Sequence, residues 1–260
     1  MTGLTRRRLW ILVTAAFVIG AIEFLPAYQF EAGINRALPT PWNMALSGTV
    51  WDGFGVLRSG HAPDALAVPL TWKFDPMALA RLRIAWKVVP TSPSLSGSVR
   101  IGADWQSVEV RDAALTIDAA ALQQAIPVLA LFAPSGTLLF STPGDAQLTI
   151  GYGSELHVTG VAHVKADNFG LRPYGAQPLG NYQLTFTAHD TAIDYLIAQS
   201  SGALKLDGGG SIQTVAPRQI VYAGHVTASA DLPEVVLAGL KELGKPAADG
   251  RLRVDWKARW

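Results

Sequence analysis

Arg6, Arg7 and Arg8 stand directly before an apolar run, residues 9–25, in which Thr14 and Glu23 are the only polar members. Few constraints on a fold are as strong as this junction. Seventeen residues of helix rise roughly 25 Å, slightly short of a hydrocarbon core of about 30 Å. Continuing through Tyr28 and Phe30 supplies the missing length and sets aromatic rings at the far interface, where they are favoured. The arginines stay cytoplasmic, so the remainder of the chain is expected to be exported. The anchor is therefore assigned to Arg6, Arg7, Arg8 and the span from Leu9 past Leu25. The expected layout is a basic tail over 1–8, a transmembrane helix over 9–30 and an exported body over 31–260. Glu23 lies near the outer end, where a charge costs less than the ~3 kcal/mol it costs at mid-bilayer. It is read as interfacial or protonated.

A cleaved signal peptide is the rival reading. Its charged start and apolar stretch are present, but Ile19, Gly20 and Ala21 make a poor small-x-small cleavage site. Thr5, the three arginines and Leu9 match a twin-arginine signal only loosely. Nothing else in the chain indicates a protein that folds around a cofactor before export.

Beyond residue 30 the character changes. The chain has 260 residues and a formal net charge of +1. Leaving out Arg6, Arg7 and Arg8 gives 18 basic against 20 acidic residues. That excludes the basic field that nucleic acid demands. Charged residues make up only 16% and apolar ones 49%. Such a chain has a large core or leaves apolar surface for lipid or a partner. The 25 glycines and 16 prolines favour many short strands over long helices. Cysteine is absent, which removes disulfides, thiolate metal sites and cysteine nucleophiles together.

Hydrophobic periodicity places the elements. Residues 27–38 are expected as a linker helix, closed by Pro39 and Pro41. Trp42, Met44 and Leu46 then alternate into a tight turn near Asp52 and Gly53. Val68, Leu70, Trp72 and Phe74 make a strand with one buried face. Asp75 and Pro76 open a short helix, as N-cap and first helical residue. Residues 84–88 are a further strand, and Leu252, Val254 and Trp256 alternate in the last one. Small-residue–glycine pairs recur at Gly48, Gly97, Gly136, Gly160, Gly202 and Gly224, at irregular intervals. They predict bends or bulges at strand starts. Three helices are expected to interrupt the strands. One follows Asp118 over 119–132, with Pro127 ending or kinking it. Another is capped by Asp231, with Glu234 completing a capping box and Gly244 stopping it. A third follows Asp190, across 193–198. The fold class is thus mainly β: one N-terminal transmembrane helix, then a long, twisted, mostly antiparallel sheet with a few short helices. Whether the sheet is closed or stays open around an apolar trough is not decided by periodicity.

No constellation of catalytic residues emerges. His61, His157, His163, His189 and His225 lack the spacing of a zinc site, although His157 and His163 share parity on one strand. There is no Gly-x-Ser-x-Gly elbow to seat a serine nucleophile. Gly208, Gly209 and Gly210 lack the lysine of a phosphate loop and are expected as a hairpin turn. Asp52 and Asp75 are better turn and cap residues than an acid/base pair. No enzyme, metal or cofactor is expected. Of the 8 tryptophans, Trp51, Trp72, Trp86 and Trp105 sit in extended segments. They either pack the sheet or line a groove for an acyl chain or a partner strand.

The run Leu46, Ser47, Gly48, Thr49, Val50, Trp51, Asp52, Gly53, followed by Leu70, Thr71, Trp72 and Leu79, resembles type II secretion system protein N. So do Ser135 to Leu138 and Pro178 to Tyr182. Ser201 to Leu206, Leu240, Leu243 with Gly244, and Asp249 to Arg251 continue the likeness over nearly the whole chain. The resemblance implies a non-enzymatic accessory protein of the bacterial inner membrane, single-pass, with its bulk in the periplasm. Its implied partners are other type II secretion subunits and the bilayer. The glycine-led strands are also similar, at fold level, to AsmA-like proteins, which would imply a lipid-binding or lipid-transfer module.

Overall fold

The alternating segments do form strands, and the computed structural model arranges them as one continuous sheet. It describes residues 10, 24–38, 40–60, 66–81, 83–103, 107–125, 129–130, 132–143, 148–151, 157–172, 177–215, 218–247 and 251–259. Its strands are β1 (Trp42–Gly48), β2 (Asp52–Ser59), β3 (Ala67–Phe74), β4 (Ile84–Pro90) and β5 (Leu95–Ala103). Then come β6 (Ser107–Asp118), β7 (Pro134–Ser141), β8 (Leu148–Gly151), β9 (His157–Leu171) and β10 (Gly180–Asp190). The last are β11 (Ala192–Ser201), β12 (Leu204–Gln213), β13 (Gln219–Ala228), β14 (Gly244–Pro246) and β15 (Leu252–Arg259). All 15 belong to a single sheet, in which β1 through β7 and then β9 through β13 follow in sequence order and β15 and β14 finish it. β8 lies in line with β7, since both pair with β6 on one side and β9 on the other. Every pairing is antiparallel, as the half-buried alternation requires. β1 and β14 stand at opposite ends of the order, so the sheet is open.

Residues directly opposite one another share a face. Along one line across the sheet run Leu115, Phe140, Val164, Leu184, Ile197, Gly208, Gly224 and Val254. One residue over, the line is Thr116, Leu139, Lys165, Gln183 and Gln199. The sheet therefore has an apolar side and a polar side. Among the described residues no second sheet covers the apolar side. At one end α3 (Glu234–Leu243) lies over it, and Leu232 and Val236 pack there with Leu179 and Leu204. Most other apolar-side residues remain half-buried, shaded by their own neighbours. The chain exposes 16542 Å², where a compact monomer of this size would expose roughly 11,000 Å².

Several expectations are corrected. The helix expected over 193–198 is β11. Asp190 has φ +62°, so it turns a two-residue hairpin instead of capping a helix, and Ile193, Tyr195 and Ile197 alternate in a strand. The glycine run 208–210 is no turn. It lies inside β12, opposite Ile197, Leu196 and Tyr195. Asp231 does not cap α3; Pro233 holds the N-cap position in an extended conformation, and Asp231 closes a turn with Ser229 instead. Of the helix expected over 119–132, the described part is a short 3-10 turn, Ala119–Ala121, and α2 (Leu122–Ala125), and Pro127 lies outside the described residues. Asp118 does cap it, accepting from the Ala120 N–H at 2.9 Å. Asp75 likewise accepts from Met77 at the start of Pro76–Arg81. Gly136 sits in a bulge between β7 and β9 with φ +103°, as a glycine-led bend requires.

The N-terminal anchor lies outside the described residues: of the apolar run, the structure describes Trp10, Phe24 and Leu25. No described helix is long and apolar enough to cross a membrane. The expected continuation through Tyr28 and Phe30 is corrected. Pro26 is extended, and Ala27–Phe30 is a separate 3-10 turn leading into α1 (Glu31–Ala37).

Aromatic hydroxyls tie neighbouring strands together on the apolar side. Tyr182 donates to the Leu204 carbonyl at 2.9 Å, and Tyr195 donates to the Val221 carbonyl at 2.8 Å, each two strands away. Burial pushes the Tyr182 phenol up to about 12 and raises Tyr195 and Tyr222 as well. The folded chain thus holds these protons after the unfolded chain has released them. Stability should be intact below about pH 10 and fall as pH rises towards 12. Urea midpoints of the detergent-solubilised chain at pH 8 and pH 11 test this. Tyr182→Phe should cost about 1 kcal/mol at pH 8 through the lost hydrogen bond and flatten the alkaline decline.

Candidate interaction surface

The run from Gly48 to Gly53 folds into the connection between β1 and β2, and each of its residues has a physical reason. Gly48 takes φ +88° and faces Gly53 across the hairpin. Thr49 and Asp52 close the turn: the Thr49 N–H donates to the Asp52 carbonyl at 3.0 Å, and the Asp52 N–H donates to the Thr49 hydroxyl at 3.1 Å. That leaves the Thr49 and Val50 carbonyls pointing away from the strands. Trp72 donates its indole N–H to the first at 3.1 Å, and Trp86 donates to the second at 2.8 Å. Trp51 stacks edge-on against Phe74, centroids 4.5 Å apart, and Phe74 in turn lies 6.5 Å from Trp86. Trp72 stands opposite Gly53, and a Cβ at Gly53 would run into its ring. A side chain larger than hydrogen cannot stand there while the indole keeps its place.

Onto this turn docks the chain that leaves the apolar run. The Val50 N–H donates to the Leu25 carbonyl at 3.0 Å, and Pro26 bridges to Thr49. α1 then runs along the outer edge of β1. Asn35 exchanges two hydrogen bonds with the Met44 backbone, at 2.7 and 3.0 Å, and Glu31 accepts from the Leu46 N–H at 3.0 Å. The side-chain amide of Asn35 stands in for the missing neighbour strand. This edge is closed to further pairing at those positions.

Three of the four tryptophans singled out from sequence, Trp51, Trp72 and Trp86, come together here. Trp105 lies outside the described residues, as do Arg6, Arg7, Arg8 and Leu9. Trp72 is 9% exposed, so it forms the seat for the turn. Asn35 and Glu31 were not legible beforehand, because nothing marks a polar helix residue as the partner of a strand edge.

On the polar side several charges pair with one another. Glu109, 7% exposed, is held by Arg83 at 2.5 Å and by Arg111 at 3.1 Å. His157 meets Asp190 at 2.5 Å, and His163 meets the Thr185 hydroxyl at 3.1 Å. His157 and His163 do share the polar side of β9, as parity predicts. Among the described residues no three acidic or histidine side chains gather as metal ligands would. A shallow concavity of about 320 Å³ beside β10 is lined by residues that include Lys165, Asn181, Gln183 and Gln199.

Gly53→Ala should displace Trp72 and cost roughly 3 kcal/mol, on the scale of a disrupted core aromatic. Trp72→Phe should cost about 1–2 kcal/mol, from the orphaned Thr49 carbonyl. Urea denaturation followed by circular dichroism separates the two. Equal losses would mean that the ring's fit over Gly53 carries no weight.

A model of the family described as type II secretion system (T2SS), protein N, matches residues 43–255. The type II secretion system protein N of Aeromonas hydrophila is 26% identical over 268 residues, covering 96% of this chain and 98% of that protein. No solved structure matches. The fold-level likeness to AsmA-like proteins gains no support from these comparisons. The family match begins at the first strand, takes in the tryptophan-seated turn and ends within the last strand. The chain belongs to the type II secretion system protein N family.

Proposed function

We infer that this chain is an accessory component of type II secretion, anchored in the inner membrane by one helix and holding its sheet in the periplasm. There it assists assembly of the machine or passage of folded exoproteins by binding other secretion subunits, and it catalyses no reaction. The family supports the secretion role. The arginine cluster before the apolar run supports the orientation. The observation that carries the reading is the seat at Thr49 and Val50. It clamps the sheet within a few residues of the end of the apolar run, with Leu25 bonded directly to the first hairpin. A sheet held so close to its anchor presents its surface at a set height and orientation above the bilayer, which suits a scaffold.

Two measurements check the reading. Alkaline phosphatase fused after the last residue should be active, and a cytosolic reporter at the same place should be silent; the reverse pattern overturns the topology. Deleting the gene from a strain with a complete machine should lower exoprotein release. Unchanged release together with unchanged assembly of the other subunits would overturn the accessory role.

A further inference from the structure

The two ends of the sheet are treated differently. At β1 the backbone is occupied by Asn35 and Glu31. At the other end β14 pairs only with Leu252, Arg253 and Val254. The Ala247 N–H donates to the Arg251 carbonyl, which fixes the direction in which alternate residues point. Arg251 and Arg253 face β14, and Asp255 faces Leu243 just before it, so the first N–H and C=O groups that face the same way past the end of β14 are those of Lys257 and Arg259. Among the described residues no strand covers them. Their alternates, Trp256 and Ala258, face β13, paired with Tyr222 and Ile220.

The side chains along this open stretch carry a pattern. Asp255 is occupied by Arg253 at 3.0 Å. Lys257 and Arg259 are exposed on the polar side, and the residues opposite them on β13 are Val221 and Gln219, which bring no negative charge. Trp256 is 44% exposed on the apolar side. A second copy of this chain fits poorly: antiparallel self-pairing over the free residues sets Lys257 against Arg259, and like charges directly opposite repel.

We propose that β15 is the docking edge for an extended partner segment in which acidic residues alternate with apolar ones. Its backbone pairs with Lys257 and Arg259. Two of its carboxylates, two residues apart, meet Lys257 and Arg259, the apolar residue between them lies beside Ala258, and the next apolar residue along continues the sheet's apolar side beside Trp256. The inference deepens the scaffold reading by naming a class of partner, and rests on it only for the compartment.

The test uses the purified full-length chain in detergent and two synthetic peptides, one alternating glutamate with valine and one alternating lysine with valine. Hydrogen exchange in the free chain should be fast at the Lys257 and Arg259 amides and slow at Trp256 and Ala258. The glutamate peptide should slow the first two. It should bind at least about tenfold more tightly than the lysine peptide, and K257E with R259E should reverse that order. Lys257→Pro removes an outward N–H without breaking an internal pair, so the sheet survives while binding is lost. Slow exchange retained at Trp256 and Ala258 confirms that the variant is folded. Equal binding of both peptides, or binding that survives Lys257→Pro, overturns the proposal. A dimer of the free chain that Lys257→Pro dissolves assigns the edge to a second copy and likewise overturns it. A failed peptide test leaves the secretion phenotype standing, and a normal secretion phenotype leaves the peptide result standing.

Discussion

A sheet one layer thick has no opposing layer to lock it. Here the work is done by aromatic rings laid across glycines on the apolar side. Tyr195 stands opposite Gly210, and its hydroxyl reaches the Val221 carbonyl; a Cβ at Gly210 would come within 2.7 Å of that hydroxyl. Trp72 covers Gly53 in the same way and ends on the Thr49 carbonyl. Tyr182 reaches the Leu204 carbonyl across β11. Tyr195 and Trp72 each need a bare backbone beneath the ring, and all three rings need an acceptor beyond it. Large rings over missing side chains recover burial that glycine alone would forfeit, and the terminal hydrogen bond fixes their direction. Core side chains elsewhere are modest: alanines recur among the buried residues, and no large side chain is buried completely.

This device explains what could be read from the chain and what could not. Period-two alternation is a local signal, and it located β1, β3, β4 and β15 directly. The turn at Gly48 to Gly53 was also local. The glycine run 208–210 was misjudged because its purpose sits one strand away, under Tyr195, and register is invisible until strands are paired. Asp190 and Asp231 failed for a related reason. An aspartate suits a helix cap and a turn equally well, and only the following backbone decides. After Asp190 the alternation of Ile193, Tyr195 and Ile197 was the deciding signal, available but outweighed by the cap. The candidate surface was half legible: the tryptophans announced themselves, whereas Asn35 and Glu31 act through strand-edge geometry that composition does not encode.

The two sheet ends give the molecule a polarity that matters for a scaffold. One end has its edge closed by α1 and its first turn bonded to Leu25. The other carries the sparsely covered β15. A single layer joins these ends, and on its polar side Glu109, Asp190 and Asp167 are each engaged by a basic neighbour.

The plain order of the strands has a consequence for how such a body is made. Because nearly every strand pairs with the one just before it, contacts join residues close in sequence, and loop closure costs little at each step. A growing sheet of this kind can add hairpins one at a time. A polypeptide threaded lengthwise through a narrow translocation pore emerges in that same order, so each new hairpin meets a finished template instead of waiting for a distant partner.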